Sequence, residues 1–231
     1  MTTTLAPYSP DALEQQQRAN HQLFPSEIEE MQSQMHEQIC AEFTSMLRRV
    51  FESDENANVG GDTGFYWNNQ DDRERIAPDA YLIRNAGKTP RKSWKLWEER
   101  QTFPNLSIRF VLEVWSDDNK LAERRRKLRQ YQALDVQEFF ELDSVTGDLA
   151  GQRLMNGQYE TLDATERGGI FSQELQAEIT FEDGLLRLYR NGERVLTASE
   201  ERELRQKREK ELQSQIDRLQ AELDALKKSN T

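Results

Sequence analysis

Two carboxylates and one lysine in this chain have the types and the setting for metal-assisted chemistry. Asp79 follows Pro78 and leads into Ala80-Tyr81-Leu82-Ile83. Glu113 lies between Leu112 and Val114, deep in the β-rich run Ile108–Trp115. A carboxylate in such a context is costly unless something positive meets it, and two brought together repel unless a cation bridges them. Oxygen ligands with few nitrogens or sulfurs suit magnesium or manganese. An ion held by Asp79 and Glu113 would keep positions open for water and a phosphate, acidify that water and stabilise charge in a phosphoryl transition state. Lys127 would orient or deprotonate the water, or balance the developing charge. Spacing alone does not single out this trio, since any α/β protein offers such pairs.

The elements that must position these groups run from Ile108 to Asp143 as strand, turn, helix, strand. After Ser116-Asp117-Asp118-Asn119 the pattern predicts a helix over Lys120–Leu134 and then a strand over Glu138–Leu142. At about 100° per residue, Leu121, Leu128, Tyr131 and Leu134 share one broad face. Lys127 projects between Tyr131 and Leu134, with Arg124 close by. Arg125, Arg126 and Arg129 point elsewhere. Lys127 is therefore angled toward the sheet, either as a snorkelling lysine whose stem covers apolar surface or as a lysine delivered to a carboxylate site. Upstream, Phe65-Tyr66-Trp67 and Arg75–Arg84 read as strands joined through the polar turn Asn68–Asp72. Residues 85–105 read as a long basic loop with a short helix near 93–99; Trp94 and Trp97 there serve either to stack on bases or to anchor the loop to the core. Downstream, Asn156-Gly157, Asp183-Gly184 and Asn191-Gly192 mark turns of a β-meander that extends or flanks the main sheet.

Composition bounds the reading. Of 231 residues, 35% are hydrophobic and 32% charged, so part of the length belongs outside a packed core. Cys40 is the single cysteine, which fits a reducing compartment. No apolar run approaches the ~20 residues of a membrane span, and the N-terminus lacks a secretory pattern; the expected location is cytoplasmic. The net charge of −11 excludes a general nucleic-acid-coating protein. Yet residues 84–129 hold 13 Lys/Arg against 6 Asp/Glu, a local net of +7 that leaves −18 on the rest. This basic field could draw in a polyanion, with Arg91, Lys92, Lys95 and Arg124 as candidate nucleic-acid contacts.

Residues 1–25 are expected to be a mobile tail. A helix is expected from Ser26, its N-cap, with Glu29 completing a capping box. Met31, Met35, Ile39, Phe43, Met46 and Val50 form its core stripe. His36 on this helix reads more readily as a packed or surface residue than as a ligand. From Ala198 to Lys228 a long charged helix is expected, capped by Ser199. There Leu212, Ile216, Leu219, Leu223 and Leu226 follow the 4-3 spacing of a coiled-coil seam. The expected organisation is a tail over 1–25, a domain over 26–197 and a coiled-coil helix over 198–231, with homodimerisation or other self-association through that helix.

The strings APDAYLI, RKSWKLWEE, FVLEVWSDDN and KLRQYQALDVQEFFELD together resemble the Uma-type restriction endonuclease family of the PD-(D/E)xK nuclease superfamily. The resemblance spans roughly 26–197, and the tail is similar to a coiled-coil extension of one branch. It implies an α/β fold with a restriction-endonuclease-like mixed central sheet flanked by helices, followed by the long C-terminal coiled-coil helix. It also implies magnesium- or manganese-dependent hydrolysis of DNA phosphodiester bonds. Pro78-Asp79 matches the PD element and Glu113 the acidic residue of the second element. Trp115 stands where the superfamily pattern has lysine, and the family expectation passes that role to Lys127 from the following helix. Glu30 or Glu37 is a candidate acidic contribution from the first helix. The alternative is a catalytically inactive nuclease-fold scaffold that acts as an interaction protein through its C-terminal coiled coil. A weaker third possibility is a phosphodiesterase acting on RNA or a small nucleotide.

Overall fold

A strand buried on both faces reads as a continuous apolar run, and Ser107–Trp115 is such a strand. Its Phe110, Leu112 and Val114 enter one hydrophobic core, while Ile108, Val111 and Trp115 enter a second core on the opposite face. The computed structural model describes residues 27–71, 73–116 and 119–229, with side chains given for these except 27–33, 224 and 227–229.

In chain order the elements are α1 (Glu27–Val50), β1 (Ala57–Gly60), β2 (Phe65–Tyr66), β3 (Arg75–Ile76), β4 (Ala80–Arg84), β5 (Trp94–Lys95) and α2 (Leu96–Thr102). They continue as β6 (Ser107–Trp115), α3 (Leu121–Ala133), β7 (Glu138–Asp143), β8 (Leu149–Met155) and β9 (Gln158–Thr161). The last are β10 (Ile170–Ser172), β11 (Ala177–Glu182), β12 (Leu185–Arg190), β13 (Glu193–Arg194) and α4 (Ala198–Ser229). The main sheet has the order β1-β4-β6-β7-β8-β9. It is mixed: β6 and β7 are parallel, joined through α3, and the other neighbours are antiparallel. This is the expected α/β architecture of a mixed central sheet flanked by helices, with the long C-terminal helix in place.

Each face of the sheet has its own cover. On one face α1 packs Ile39, Phe43, Met46 and Leu47 against Ala80, Leu82, Phe110 and Leu112. The separate sheet β10-β11-β12-β13 adds Ile170, Ile179, Leu186 and Leu188 to the same core. On the other face α3 buries Tyr131 beside Phe139, and the small sheet β3-β2-β5 contributes Phe65, Ile76 and Trp94. Burial of these large apolar side chains, at about 1.5–3 kcal/mol each, makes the two cores the main source of stability.

Several expectations change in detail. The Arg75–Arg84 segment is two strands, because Pro78 has no N–H for a ladder and its carbonyl instead accepts the Asp62 N–H at 2.8 Å. Met35 is 46% exposed, so the packed stripe of α1 begins at Ile39; Met31 and the Ser26 cap lie outside the described side chains. The 1–25 tail also lies outside the described residues. Leu121 is 62% exposed at the first position of α3, on the rim of a shallow cleft with Trp115 and Leu128. The cap of α4 is Thr197, not Ser199. The helix starts at Ala198 as the pattern suggested, and the residue before it makes the cap: Thr197 Oγ1 accepts the Glu200 N–H at 3.2 Å and Glu200 Oε2 accepts the Thr197 N–H at 3.0 Å. That is a reciprocal capping box. Ser199 instead donates to Glu42 on α1. These contacts, with the Arg187–Glu200 and Arg49–Glu201 ion pairs, dock the first turn of α4 on the body. From Arg202 to Leu226 every described side chain of α4 is exposed.

Candidate active site

The pairing of β4 with β6 sets Ala80 against Leu112 and Tyr81 against Val111. Extending that register by one step sets Asp79 against Glu113, although the two are separated by more than thirty residues of chain. Asp79 stands just before β4, and its Oδ2 accepts the backbone N–H of Val114 at 2.7 Å. A backbone donor fixes this carboxylate at the end of the sheet. Gly61 makes room for it: a Cβ there would lie 2.2 Å from the Asp79 carbonyl oxygen and 3.3 Å from Thr44 Oγ1. The glycine is therefore required by close backbone approach.

Glu113 is 1% exposed. Its Oε2 accepts from Lys127 Nζ at 2.7 Å and its Oε1 from the hydroxyl of Tyr131. Both donors project from α3, one turn apart, which is the i, i+4 geometry of a single helix face. Lys127 is thus delivered to the carboxylate and does not snorkel past it. Trp115 holds the lysine from beneath: the ammonium lies 5.3 Å from its ring centroid, and its indole N–H is anchored to Glu141 at 2.7 Å. The side chain that stands where the PD-(D/E)xK pattern has lysine therefore positions the lysine that comes from α3.

The electrostatics are not balanced by these contacts. Burial pushes the Glu113 carboxyl up to about 7; Lys127 acts against that shift and the neighbouring charge of Asp79 adds to it. Tyr131 is pushed well up by burial and then by Glu113. Glu113 meets one ammonium, while Asp79 lies near enough for its charge to oppose the ionisation of Glu113. That repulsion, between a carboxylate on β6 and one just before β4, fits a bound divalent cation. The fit leaves room for it: each carboxylate oxygen has a second lone pair beyond the one used by Lys127 or Tyr131.

A residue outside the expected trio also reaches the site. His36 on α1 places Nε2 3.5 Å from Asp79 Oδ2, and the Asp79 hydrogen bond raises the imidazole above its ordinary value against the opposing effect of burial. Cys40, one turn on, has Sγ 3.8 Å from His36 Nε2, and burial pushes its thiol far up, with the charges of Asp79 and Glu113 adding to the effect. Thus α1 covers one face of the sheet and α3 the other, and both reach the sheet end where Asp79 and Glu113 meet. The signal for His36 was its i, i+4 spacing to Cys40 on one helix face, which a single histidine does not advertise. Glu37 is exposed, and the side chain of Glu30 lies outside the described residues.

Beside Lys127 a cleft of about 390 Å³ opens, lined by Gly64, Tyr66, Arg75, Ile76, Ala77 and Arg126. Its cations are Arg75, Arg126 and Lys127, a basic approach to the site. The four expected nucleic-acid contacts fare differently. Lys92 and Lys95 are exposed, Lys95 with a loose pairing to Glu98 at 3.4 Å. Arg91 is committed inside the protein: it forks onto Glu99 at 2.8 and 2.9 Å, donates to the carbonyls of Thr89 and Ala86, and stacks on Trp94. Arg124 pairs with Asp143 at 2.9 Å and lies over Trp115. Trp94 is fully buried and donates to Tyr81, so it anchors the basic loop.

A family model described as "Putative restriction endonuclease", Uma2, matches residues 9–187. Among solved structures the chain is similar to one described as "a putative nuclease belonging to DUF820 from Anabaena variabilis ATCC 29413". That similarity has 11% sequence identity and a TM-score of 0.46, and it covers 61% of this chain and 73% of the other. No curated protein matches the chain in sequence.

Proposed function

The chain belongs to the Uma2 restriction endonuclease family, and on that premise we propose that it is a metal-dependent endonuclease hydrolysing DNA phosphodiester bonds. The observation that carries this is the convergence of Asp79, the buried Glu113 and Lys127 at one end of the central sheet, beside a basic cleft.

Asp79 and Glu113 would hold a magnesium or manganese ion. Such an ion, when bound, acidifies a water and offsets charge on the phosphate. The chain's own groups do the rest. Lys127, held by Glu113 and the Trp115 ring, orients the attacking water and balances charge that develops on the phosphoryl oxygens. Tyr131 keeps the Glu113 carboxylate in one rotamer. Arg75 and Arg126 at the cleft, with Lys92 and Lys95 on the neighbouring basic loop, steer the DNA backbone toward it.

The test is plasmid cleavage with magnesium or manganese by the wild type and by Asp79→Ala, Glu113→Ala and Lys127→Ala. Metal-dependent cleavage in the wild type, lost in all three variants, is the expected result. Cleavage indifferent to all three defeats the assignment, and cleavage of RNA alone moves the substrate class.

One further feature supports self-association. On α4, Leu212 and Leu219 occupy d positions and Ile216 and Leu223 a positions, and all four are exposed. A β-branched residue at a with leucine at d favours a parallel two-stranded coiled coil. We infer a homodimer through this seam, which also serves the alternative reading of the chain as a scaffold. Leu219→Asp should halve the mass seen by light scattering; an unchanged mass disposes of the dimer.

A further inference from the structure

The ligands that family and fold call for are oxygens, yet this chain sets a nitrogen and a sulfur beside one of them. His36, Cys40 and Asp79 form a group whose potential ligand atoms all lie within 4.8 Å of one another. His36 Nε2 is 3.5 Å from Asp79 Oδ2, and Cys40 Sγ is 3.8 Å from the same ring nitrogen. A tetrahedral ion with a metal–sulfur bond of about 2.3 Å and metal–nitrogen and metal–oxygen bonds of about 2.0–2.2 Å separates its ligands by roughly these distances. We propose that His36, Cys40 and Asp79 form a three-ligand site for a borderline-soft divalent ion of the zinc class, with a fourth position open to solvent.

Three features of the fold carry this. His36 and Cys40 sit four residues apart on α1, so one helix face presents both, the spacing by which a single helix supplies two ligands to zinc. The helix is rigidly seated at this point, since Ile39 and Phe43 beside them are fully buried in the core. The aspartate is held from behind by the Val114 N–H, which fixes the direction of its carboxylate as an outer-shell donor does. Solvent reaches the group, for the His36 and Asp79 side chains are 30% and 20% exposed.

The donor set decides the ion. Magnesium demands six oxygens and keeps its waters, whereas a thiolate and an imidazole select zinc and its neighbours. Binding draws the Cys40 proton into solvent, leaving a thiolate on the metal and a neutral imidazole beside it. The site shares Asp79 with the proposed nuclease centre, but it does not require that centre to turn over.

The test uses the full chain and cobalt(II) as a spectroscopic stand-in for zinc, so the readout is a spectrum and not cleavage. The wild type should show intense tetrahedral ligand-field bands and a thiolate-to-cobalt charge-transfer band, both abolished by adding zinc. Cys40→Ser should lose the charge-transfer band while keeping the wild-type circular dichroism. His36→Ala should weaken zinc binding in calorimetry by at least the 10- to 100-fold that an outer-shell partner alone costs. Zinc should also protect Cys40 from alkylation in the wild type. A weak octahedral cobalt spectrum without the charge-transfer band, or zinc binding unchanged in Cys40→Ser, overturns the proposal. A protein that gives the cobalt bands but never cleaves a plasmid leaves this site standing and removes the nuclease reading instead.

Discussion

Two glutamates lie fully buried on neighbouring central strands, Glu113 on β6 and Glu138 on β7, and they are treated in opposite ways. Glu138 is closed off. Its Oε1 accepts from Arg153 Nη2 at 2.7 Å, from Arg153 Nε at 3.0 Å and from the Gln173 N–H at 3.0 Å. Its Oε2 accepts from the Ser172 hydroxyl and the Glu174 N–H. A guanidinium, a hydroxyl and two backbone amides satisfy one carboxylate. Glu113 receives only an ammonium and a phenol, and the charge of Asp79 works against its ionisation. The first arrangement ties β7 and β8 to the segment that enters β11. The second leaves the charge of Asp79 opposing the ionisation of Glu113 at a sheet end where the Asp79 side chain is 20% exposed. Burial of an acid is therefore not by itself the mark of a site; incomplete neutralisation beside a second acid is.

The comparison breaks most sharply under substitution. Asp79→Asn and Glu113→Gln should each lower metal-dependent plasmid cleavage on the order of 10³-fold, the scale of losing one preorganised electrostatic group; Glu113→Gln should change thermal stability little at pH 7, where the folded chain already holds Glu113 about half protonated. Glu138→Gln should do the reverse. Breaking the pair between buried Glu138 and half-buried Arg153 destabilises the fold by about 3 kcal/mol in urea unfolding, while the cleavage rate per folded molecule stays near wild type. Equal losses of activity in both sets would erase the distinction.

The pH dependence sharpens it. Glu113 titrates near 7 in the folded chain against an ordinary 4.5, so the native state binds more protons than the unfolded state between these values. His36, also raised, acts in the same sense: its stabilisation is full below 6.5 and is lost as the pH rises through its folded value. Stability of the metal-free protein should therefore fall as pH rises from 5 to 8, by on the order of 3 kcal/mol from Glu113 alone. Urea unfolding with a chelator present checks this. Glu113→Gln should flatten most of the slope, and a divalent ion should restore stability at pH 8. The smallest expected effect is that of Tyr131→Phe. It removes one donor from Glu113 and should cost about 1–2 kcal/mol, measured by the same unfolding, with a further upward displacement of the pH midpoint.

Much of this molecule is legible in local pattern. The apolar run of β6 announces a strand covered on both faces, and the residues from Lys120 to Leu134 announce a helix whose Lys127 shares a face with Tyr131. Asn156-Gly157 and Asp183-Gly184 announce hairpins, and both sit in the left-handed conformations such turns need. The carboxylate in β6 was conspicuous because it interrupted an apolar context. Glu138 was not, because it stands at the start of its strand, where an acid passes for a surface residue. Arg91 read as a nucleic-acid contact from its basic neighbourhood, but the loop folds it onto Glu99 and Trp94, partners that no periodicity reveals.

The chain order by itself determined most of the long strands and helices, the face of α3 that carries Tyr131 and Lys127, and that an aspartate and a glutamate stand beside or within segments able to pair. Only the tertiary structure decided that Glu113 meets Lys127 and Tyr131, that Trp115 carries the lysine, and that His36 and Cys40 arrive beside Asp79 from the opposite face of the sheet. The reason is physical. Secondary structure follows from periodicities of 2 and 3.6 residues, which are written in neighbouring residues. A site is a meeting of side chains from segments far apart in the chain, and their distances are set by how α1, the sheet and α3 pack together.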